Sequence, residues 1–338
     1  MPMILVIALY HFNHVDNPPV LQEQLLAFCK SHEIKGTLIL AEEGINGTVA
    51  GEEADMRQLL DYLRSLPPFS HLEWKESWHS EQPFLRMKVK LKKEIVTMGQ
   101  PGVDPRKLVG SYVQPSEWNS LISQPDVTLV DTRNDYEYAL GTFKGALNPD
   151  TESFREFPEY VKQNLDPQKN PKVAMFCTGG IRCEKATAYL LEQGFKEVYH
   201  LKGGILKYLE EVSKDQTLWE GECFVFDNRV TVTHDLEKGS FGLCPNCRNP
   251  LSEEMKQSPQ YEEGVSCPVC FDELTPSRAE GLRERMKQIQ IAKERGLPSH
   301  IGVSLEERRA FKQKQRAAEI ERANKSRLAK QSQKTTMK

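Results

Sequence analysis

Apolar residues along this 338-residue chain come in short blocks whose spacing switches between two periods. Residues 4–10 are a continuous apolar run of strand length, and residues 21–31 repeat apolar positions at the spacing of one helical face. Residues 36–41 and 48–50 read as strands around the polar stretch Glu42-Glu43-Gly44-Ile45-Asn46-Gly47, in which Asn46-Gly47 is a favoured tight-turn pair. Residues 54–66 are helical in spacing and stop at Pro67-Pro68. Residues 72–78 and 85–91 alternate as strands.

The order β-α-β-β-α-β predicts a ferredoxin-like (acylphosphatase-like) α+β domain over residues 1–97. The glycines and prolines that follow read as a linker over residues 98–122. Residues 127–131, 173–177 and 197–201 are strand blocks separated by helix-like segments at 134–140 and 184–193, which predicts a parallel α/β sheet over residues 123–217. From residue 218 the composition changes: 223–226 and 230–233 read as a hairpin, and two cysteine pairs follow in a small Cys-rich, zinc-ribbon-like module over residues 218–276. Residues 277–338 read as a polar, helical or disordered tail, with Ser304 and Glu307 as a capping-box pair. The fold class is therefore α/β multidomain.

Charge adds a partner to this outline. The formal net charge is −3, yet residues 276–338 carry 17 Lys and Arg against 7 Asp and Glu. An acidic body with a basic tail that includes Arg308, Arg309, Lys312, Lys314 and Arg316 suits a polyanion such as RNA. No run of 18 apolar residues occurs, so no membrane span is expected. The apolar N-terminus lacks a basic flank and reads as a strand rather than a signal peptide, which places the protein in the cytoplasm. Thiols stay reduced there, so the clustered cysteines point to metal or catalysis before disulfides. Cys29, in a helical apolar stretch, reads as core.

The candidate chemistry centres on Cys177-Thr178-Gly179-Gly180-Ile181-Arg182-Cys183, where a buried strand ends and a helix begins. A thiolate at a helix mouth feels the positive end of the macrodipole and the unpaired N–H groups, and glycines let those groups turn inward as a cradle. Such a cysteine has its pKa lowered to roughly 3.5–7.5. Residues Thr178, Gly179, Gly180 and Ile181 are then the cradle, Arg182 adds charge or aims at a bound anion, and Cys183 is a resolving thiol or a small helix-facing residue. The spacing from Cys177 to Arg182 is C-x4-R, one residue shorter than the loop that cysteine phosphatases wrap around phosphate.

Two further constellations stand out. Cys244, Cys247, Cys267 and Cys270 form two C-x2-C knuckles at the spacing of a structural zinc site, with no open position for catalysis. The pairs His71/Glu73 and His79/Glu81 offer part of an iron site, although exposed strand residues are the plainer reading. There is no flavin or nicotinamide motif.

The middle of the chain resembles the rhodanese domain. Asp131-Thr132-Arg133, Glu137-Tyr138, the run from Gly141 to Asn148, the Cys177 loop and Leu201-Lys202-Gly203-Gly204 match that family's motifs in order. Thr142 stands where the family has His, and Cys183 where Ser is more usual. The resemblance implies that Cys177 is the catalytic cysteine. Taken together, the EEGINGTVAG segment, the Cys177 loop, the GECFVFDNRV segment and the two knuckles resemble the rhodanese-related tRNA uridine-34 hydroxylases over residues 3–275. That resemblance implies oxygen-dependent hydroxylation of the wobble uridine to 5-hydroxyuridine, with molecular oxygen as co-substrate and the tRNA anticodon loop as partner. Protein partners are left unassigned. The alternative is a sulfurtransferase that passes a persulfide from Cys177 to a small thiol or to tRNA.

Overall fold

The computed structural model of the chain describes residues 3–294 and Gln313. The Ser304/Glu307 pair and the basic residues Arg308, Arg309, Lys312, Lys314 and Arg316 lie outside the described residues.

The first domain is a single sheet backed by two helices. Its strands are β1 (Ile4–Phe12), β2 (Lys35–Ala41), β3 (Gly44–Gly51), β4 (Glu73–His79) and β5 (Met87–Leu91), in the order β4-β1-β3-β2-β5. The first four strands have the ferredoxin-like order, and β5 extends the sheet parallel to β2. Helix α1 (Pro18–Ser31) starts before the periodic pattern because Asn17 caps it: the Asn17 side chain accepts the Val20 N–H at 3.3 Å, and Pro18 suits the first turn. Helix α2 is Glu53–Ser65. Strand alternation decides what each sheet face meets. Leu5, Ile7, Leu38 and Val49 pack against Leu25 of α1 and Leu59 of α2. Ala8, Tyr10, Thr37, Ile39 and Thr48 point the other way, into a cavity.

Asn46-Gly47 is not the hairpin turn. The chain reverses at Glu42-Glu43, with Ala41 opposite Gly44, and Asn46 and Gly47 run inside β3. A Cβ on Gly47 would meet the Thr37 carbonyl oxygen at 2.1 Å, so this glycine serves a close strand approach rather than a turn.

In the second domain β6 (Ser111–Val113), β7 (Val127–Asp131), β9 (Lys172–Phe176) and β10 (Glu197–Leu201) form a parallel sheet in the order β6-β10-β9-β7. A short helix α4 (Asp135–Tyr138) and strand β8 (Gly141–Phe143) follow β7. Helices α3 (Pro115–Ile122) and α7 (Gly204–Glu211) cover one face around Trp118, Phe176 and Tyr208. Helices α5 (Phe157–Asn164) and α6 (Ile181–Glu192) cover the other around Phe157, Met175 and Leu190. Parallel sheets need both faces buried, and this one has them.

Two boundaries differ from the sequence expectation. Residues 111–122, inside the expected linker, build β6 and α3; only the Gly- and Pro-rich part before them lacks regular structure. Residues 218–236 belong to the second domain's core. There β11 (Trp219–Gly221) pairs with β8, and β12 (Cys223–Phe224) pairs with β13 (Thr231–Val232) as the expected hairpin. Trp219, Val225 and Val232 pack in the cluster that contains Phe143. The cysteine module itself has β14 (Gly242–Leu243), β15 (Pro250–Leu251) and a short helix α8 (Glu253–Lys256). Helix α9 spans Pro276–Glu294.

The start of α6 ties the two larger domains together. Lys185 is almost fully buried; its Nζ lies 2.8 Å from Glu43, on the first domain's hairpin, and 2.7 Å from Glu94. Glu184 accepts the hydroxyl protons of Tyr10 on β1 and Tyr112 on β6, at 2.8 and 2.7 Å. Replacing Lys185 by Met leaves two carboxylates facing each other without a cation. We expect that to cost about 2 kcal/mol in urea unfolding, below the full penalty of a broken buried pair because both carboxylates keep some water. An unchanged unfolding midpoint would count against this clamp.

Candidate active site

Cys177 is the residue after β9, and α6 begins four residues later. The turn between them is pinned from both sides. Gly180 sits at the α6 N-cap with φ +103°, and its N–H donates to Cys177 Sγ at 3.1 Å. Behind the loop, the N–H groups of Ile205 and Leu206 in α7 donate to the carbonyls of Cys177 and Thr178 at 3.0 and 3.1 Å. Gly204 permits that approach: a Cβ there would lie 2.5 Å from the Cys177 carbonyl oxygen.

Electrostatics favour a thiolate. Burial pushes the Cys177 thiol up, but a hydrogen bond from Cys183, the Arg182 guanidinium, and the N–H groups of Cys183 and Arg182 outweigh it and hold the group well below the ordinary thiol range. Cys183 goes the other way. Burial and the neighbouring Cys177 charge raise it, and its sulfur lies 3.5 Å from the Thr132 hydroxyl. Of the two thiols, Cys177 is therefore the more acidic and Cys183 the one that favours its proton.

Arg182 does not aim at a bound anion. Its guanidinium makes a two-pronged pair with Glu137 at 2.6 and 2.8 Å, and Glu137 is fully buried. Thr178 completes this knot by donating its hydroxyl proton to Glu137 at 3.1 Å. Arg182 contributes its field, not a free fork, and Glu137 is the partner that sequence reasoning named only as part of a motif. Thr178, Gly179, Ile181 and Arg182 all line the cavity into which Cys177 opens.

That cavity has a volume of about 550 Å³ and lies between the uncovered face of the first domain's sheet, the Cys177 loop and the segment around residues 225–236. Its size suits a small ligand or a single nucleobase. Most charged groups on its wall are paired. Glu94 is taken by Lys185, Glu76 by Arg57 and Asp227 by Arg229, which also donates to Ser77 at 2.9 Å. Lys75, Lys90 and Lys92 remain, and among the described residues none of them lies within ion-pair distance of a carboxylate. Apart from Cys177 itself, the cavity's unpaired charged groups among the described residues are thus positive. Lys75 and Tyr10, both from the first domain, were missed in the sequence because nothing local marks them.

The four cysteines of the knuckles converge as expected. Their sulfurs all lie within 4.8 Å of one another, with Cys247–Cys267 at 3.6 Å and Cys267–Cys270 at 3.8 Å. A tetrahedral zinc with bonds of about 2.3 Å would set sulfur pairs about 3.8 Å apart. Asn246 and Asn249 donate side-chain N–H groups to Cys270 and Cys247 at 3.5 Å, as partners of metal-bound thiolates do. Cys244, Cys247, Cys267 and Cys270 can hold a metal such as zinc. Among the described residues no group of three or more such ligands includes His71, Glu73, His79 or Glu81.

Comparison with known proteins adds names to this geometry. Residues 4–95 match the family described as the UPF0176 acylphosphatase like domain, and residues 114–211 match the Rhodanese-like domain. A protein of Teredinibacter turnerae named tRNA uridine(34) hydroxylase is 60% identical over 298 residues, which are 88% of this chain and 92% of that one. A protein of the same name from Agrobacterium fabrum is 57% identical over 298 residues, 88% of this chain and 95% of its own.

The electrostatic reading has a direct check. A thiol whose folded pKa is depressed is ionised at neutral pH and protonates only as pH falls through that lowered value. The ultraviolet thiolate signal lost in Cys177→Ser is expected to titrate with a midpoint well below the free-thiol value of about 8.5, and Arg182→Met is expected to raise that midpoint. A midpoint at or above the free-thiol value would contradict it.

Proposed function

The chain belongs to the tRNA uridine(34) hydroxylase family, and from that premise we propose that it hydroxylates C5 of the wobble uridine of tRNA, giving 5-hydroxyuridine, with the Cys177 thiolate as the reacting group. The observation that carries the role of Cys177 is its sulfur, held by the Gly180 N–H at the start of α6, on the wall of a base-sized cavity whose other unpaired charged groups among the described residues are lysines.

A pyrimidine ring accepts nucleophiles at C6. Addition of the thiolate there moves the C5=C6 electron pair toward C5 and O4 and makes C5 nucleophilic. C5 then attacks an oxygen-derived electrophile to form the C5–O bond, and loss of the C5 proton to solvent with expulsion of the thiolate from C6 restores the C5=C6 double bond. Replacing C5–H by C5–OH removes two electrons from the base. Molecular oxygen, as co-substrate, takes four on its way to water, so a two-electron reductant of the thiol class completes the balance. The cradle of Thr178, Gly179, Gly180 and Ile181 and the field of Arg182 hold Cys177 ionised, and Cys183 keeps its proton until the sulfur is released.

The anticodon loop is the proposed partner. Lys88, Lys90 and Lys92 alternate along and beyond β5, so they share a face, and the last two line the cavity. Burial and the neighbouring Arg86, Lys90 and Arg248 lower the Lys88 pKa, a sign of concentrated positive charge. Such a stripe suits the phosphates of a nucleic acid. Phe226, on the cavity wall, is 60% exposed and meets Phe224 edge-on, which leaves a ring face for an unstacked base. Extrusion of the wobble base would bring its ring to Cys177. The cytoplasm is the proposed location; no described helix is long and apolar enough to cross a membrane.

Sulfur transfer is the second reading, since the Gly180 N–H on Cys177 Sγ would hold a persulfide as well. Nucleoside mass spectrometry of tRNA separates the two. Cells carrying Cys177→Ser in place of the wild-type chain are expected to lose 5-hydroxyuridine and its derivatives at least about 100-fold. Loss of a thiolated nucleoside instead would favour sulfur transfer, and wild-type levels of 5-hydroxyuridine would exclude Cys177 from the chemistry.

For the knuckles we propose one structural zinc. The purified chain is expected to carry one equivalent of zinc by elemental analysis. Cys267→Ser should lose it and unfold at a lower temperature, because so small a cysteine-lined core has little else to hold it. Metal-free protein with unchanged thermal stability would contradict this.

A further inference from the structure

Lys75 sits on β4, opposite Ala8 of β1, and its side chain lies on the sheet face that lines the cavity. Its Nζ reaches the second domain and donates to the carbonyl oxygen of Gly179, inside the Cys177 loop, at 2.9 Å. The Tyr10 ring lies 5.3 Å from the same atom. An ammonium has three donors, and Gly179 uses one. A cation this deep is costly without an anion nearby, and the Cys177 thiolate in the loop supplies one while leaving the ammonium's other donors for a bound group. The charged and titratable groups around it are Cys177 in the loop, Glu73 on its own strand, Glu184 on α6 and Lys207 on α7. Burial lowers the Lys75 pKa to about 8; Lys207 acts in the same direction, and Cys177, Glu73 and Glu184 act against it.

The other cavity cations are less well placed for chemistry at Cys177. Arg182 is held by Glu137, Arg229 by Asp227, and Lys90 and Lys92 belong to the opposite edge of the sheet from β4. Among the described residues, Lys75 is the one cavity cation that both touches the loop and lacks a carboxylate in ion-pair range.

We propose that Lys75 is a catalytic residue of the hydroxylation, its ammonium hydrogen-bonding the uracil oxygen O4 as that oxygen takes up negative charge. The proposal rests on the reading that Cys177 adds to C6. In that step the S–C6 bond forms, the C5=C6 π pair shifts through C5–C4 to O4, and no electron or proton leaves the ring. Lys75 keeps its proton and stabilises the enolate, as a donor in an oxyanion hole does. Collapse of the enolate onto an electrophile at C5 releases the charge again, so one ammonium serves without being consumed.

The test isolates the addition step from oxygen. In anaerobic deuterium oxide, reversible addition at C6 lets C5 pick up solvent deuterium, so the C5 hydrogen of uridine 34 in substrate tRNA exchanges. The full-length wild-type chain is expected to exchange it, and Cys177→Ser is not. Lys75→Met, which keeps the apolar stem, is expected to slow exchange about 100-fold or more, the usual cost of one oxyanion donor. Wild-type exchange should fall as pH rises through the Lys75 titration, because the ammonium is present only below it. Lys75→Arg should restore exchange to within about tenfold of wild type and abolish that alkaline fall, since a guanidinium does not titrate there. A Lys75→Met chain that exchanges at the wild-type rate, or a Lys75→Arg chain that keeps the alkaline fall, overturns the role of Lys75 and leaves Cys177 untouched. A wild-type chain that hydroxylates yet shows no exchange overturns both the C6 addition and the role built on it.

Discussion

A thiolate at the inner end of a β-strand persists only where fixed positive potential surrounds it, and the first turn of α6 supplies that potential here. The Gly180 N–H, the Arg182 guanidinium and the open amides of the helix start all bear on one sulfur. The same turn has to satisfy its own charges in a dry setting, and each is matched. Arg182 meets Glu137, Glu184 meets two tyrosines, and Lys185 meets two glutamates. Those partners come from both domains, so the electrostatics of one helical turn also fix how the domains meet. Removing a partner would unbalance the thiolate as well as the interface.

The two-domain arrangement explains why a ferredoxin-like sheet is present at all. A sheet of this kind buries one face under its helices and leaves the other open. Here the open face is a wall of the cavity that Cys177 also lines. Lys75 reaches from it to the Cys177 loop and Tyr10 to Glu184 in the first turn of α6, and the alternating lysines of β5 extend positive charge away from the site. A rhodanese loop alone presents a cradle for a sulfur-sized group. Facing it with a basic, partly apolar sheet adds the positive charge and ring-sized space on which the proposed docking of the wobble base relies.

What could be read from the sequence followed sequence distance. The Cys177 loop and the cysteine knuckles are contiguous signals, and the structure puts their side chains together as their spacing implies. The strands of the first domain follow from alternation, β5 among them, although its place at the sheet edge beside β2 goes beyond the β-α-β-β-α-β order. Residues 111–122 were hidden because a three-residue strand and a two-turn helix next to a Gly- and Pro-rich stretch carry too little periodicity. Asn46-Gly47 carried a turn signal that tertiary contact overrode: only glycine fits where β2 crowds β3. Arg182 was visible, but its state depended on Glu137, which lies 45 residues earlier. Lys75 and Glu43 reach their partners across 104 and 142 positions, and no local pattern encodes such contacts.

The central claim is that the Cys177 sulfur is the atom that attacks the wobble base. A structure of the chain bound to an anticodon stem-loop tests it most directly. The account predicts uridine 34 extruded into the cavity with C6 at about 3–3.5 Å from Cys177 Sγ, the separation of a near-attack geometry. A base stacked elsewhere, or one that turns its ring away so that C6 lies out of reach of that sulfur, would contradict it.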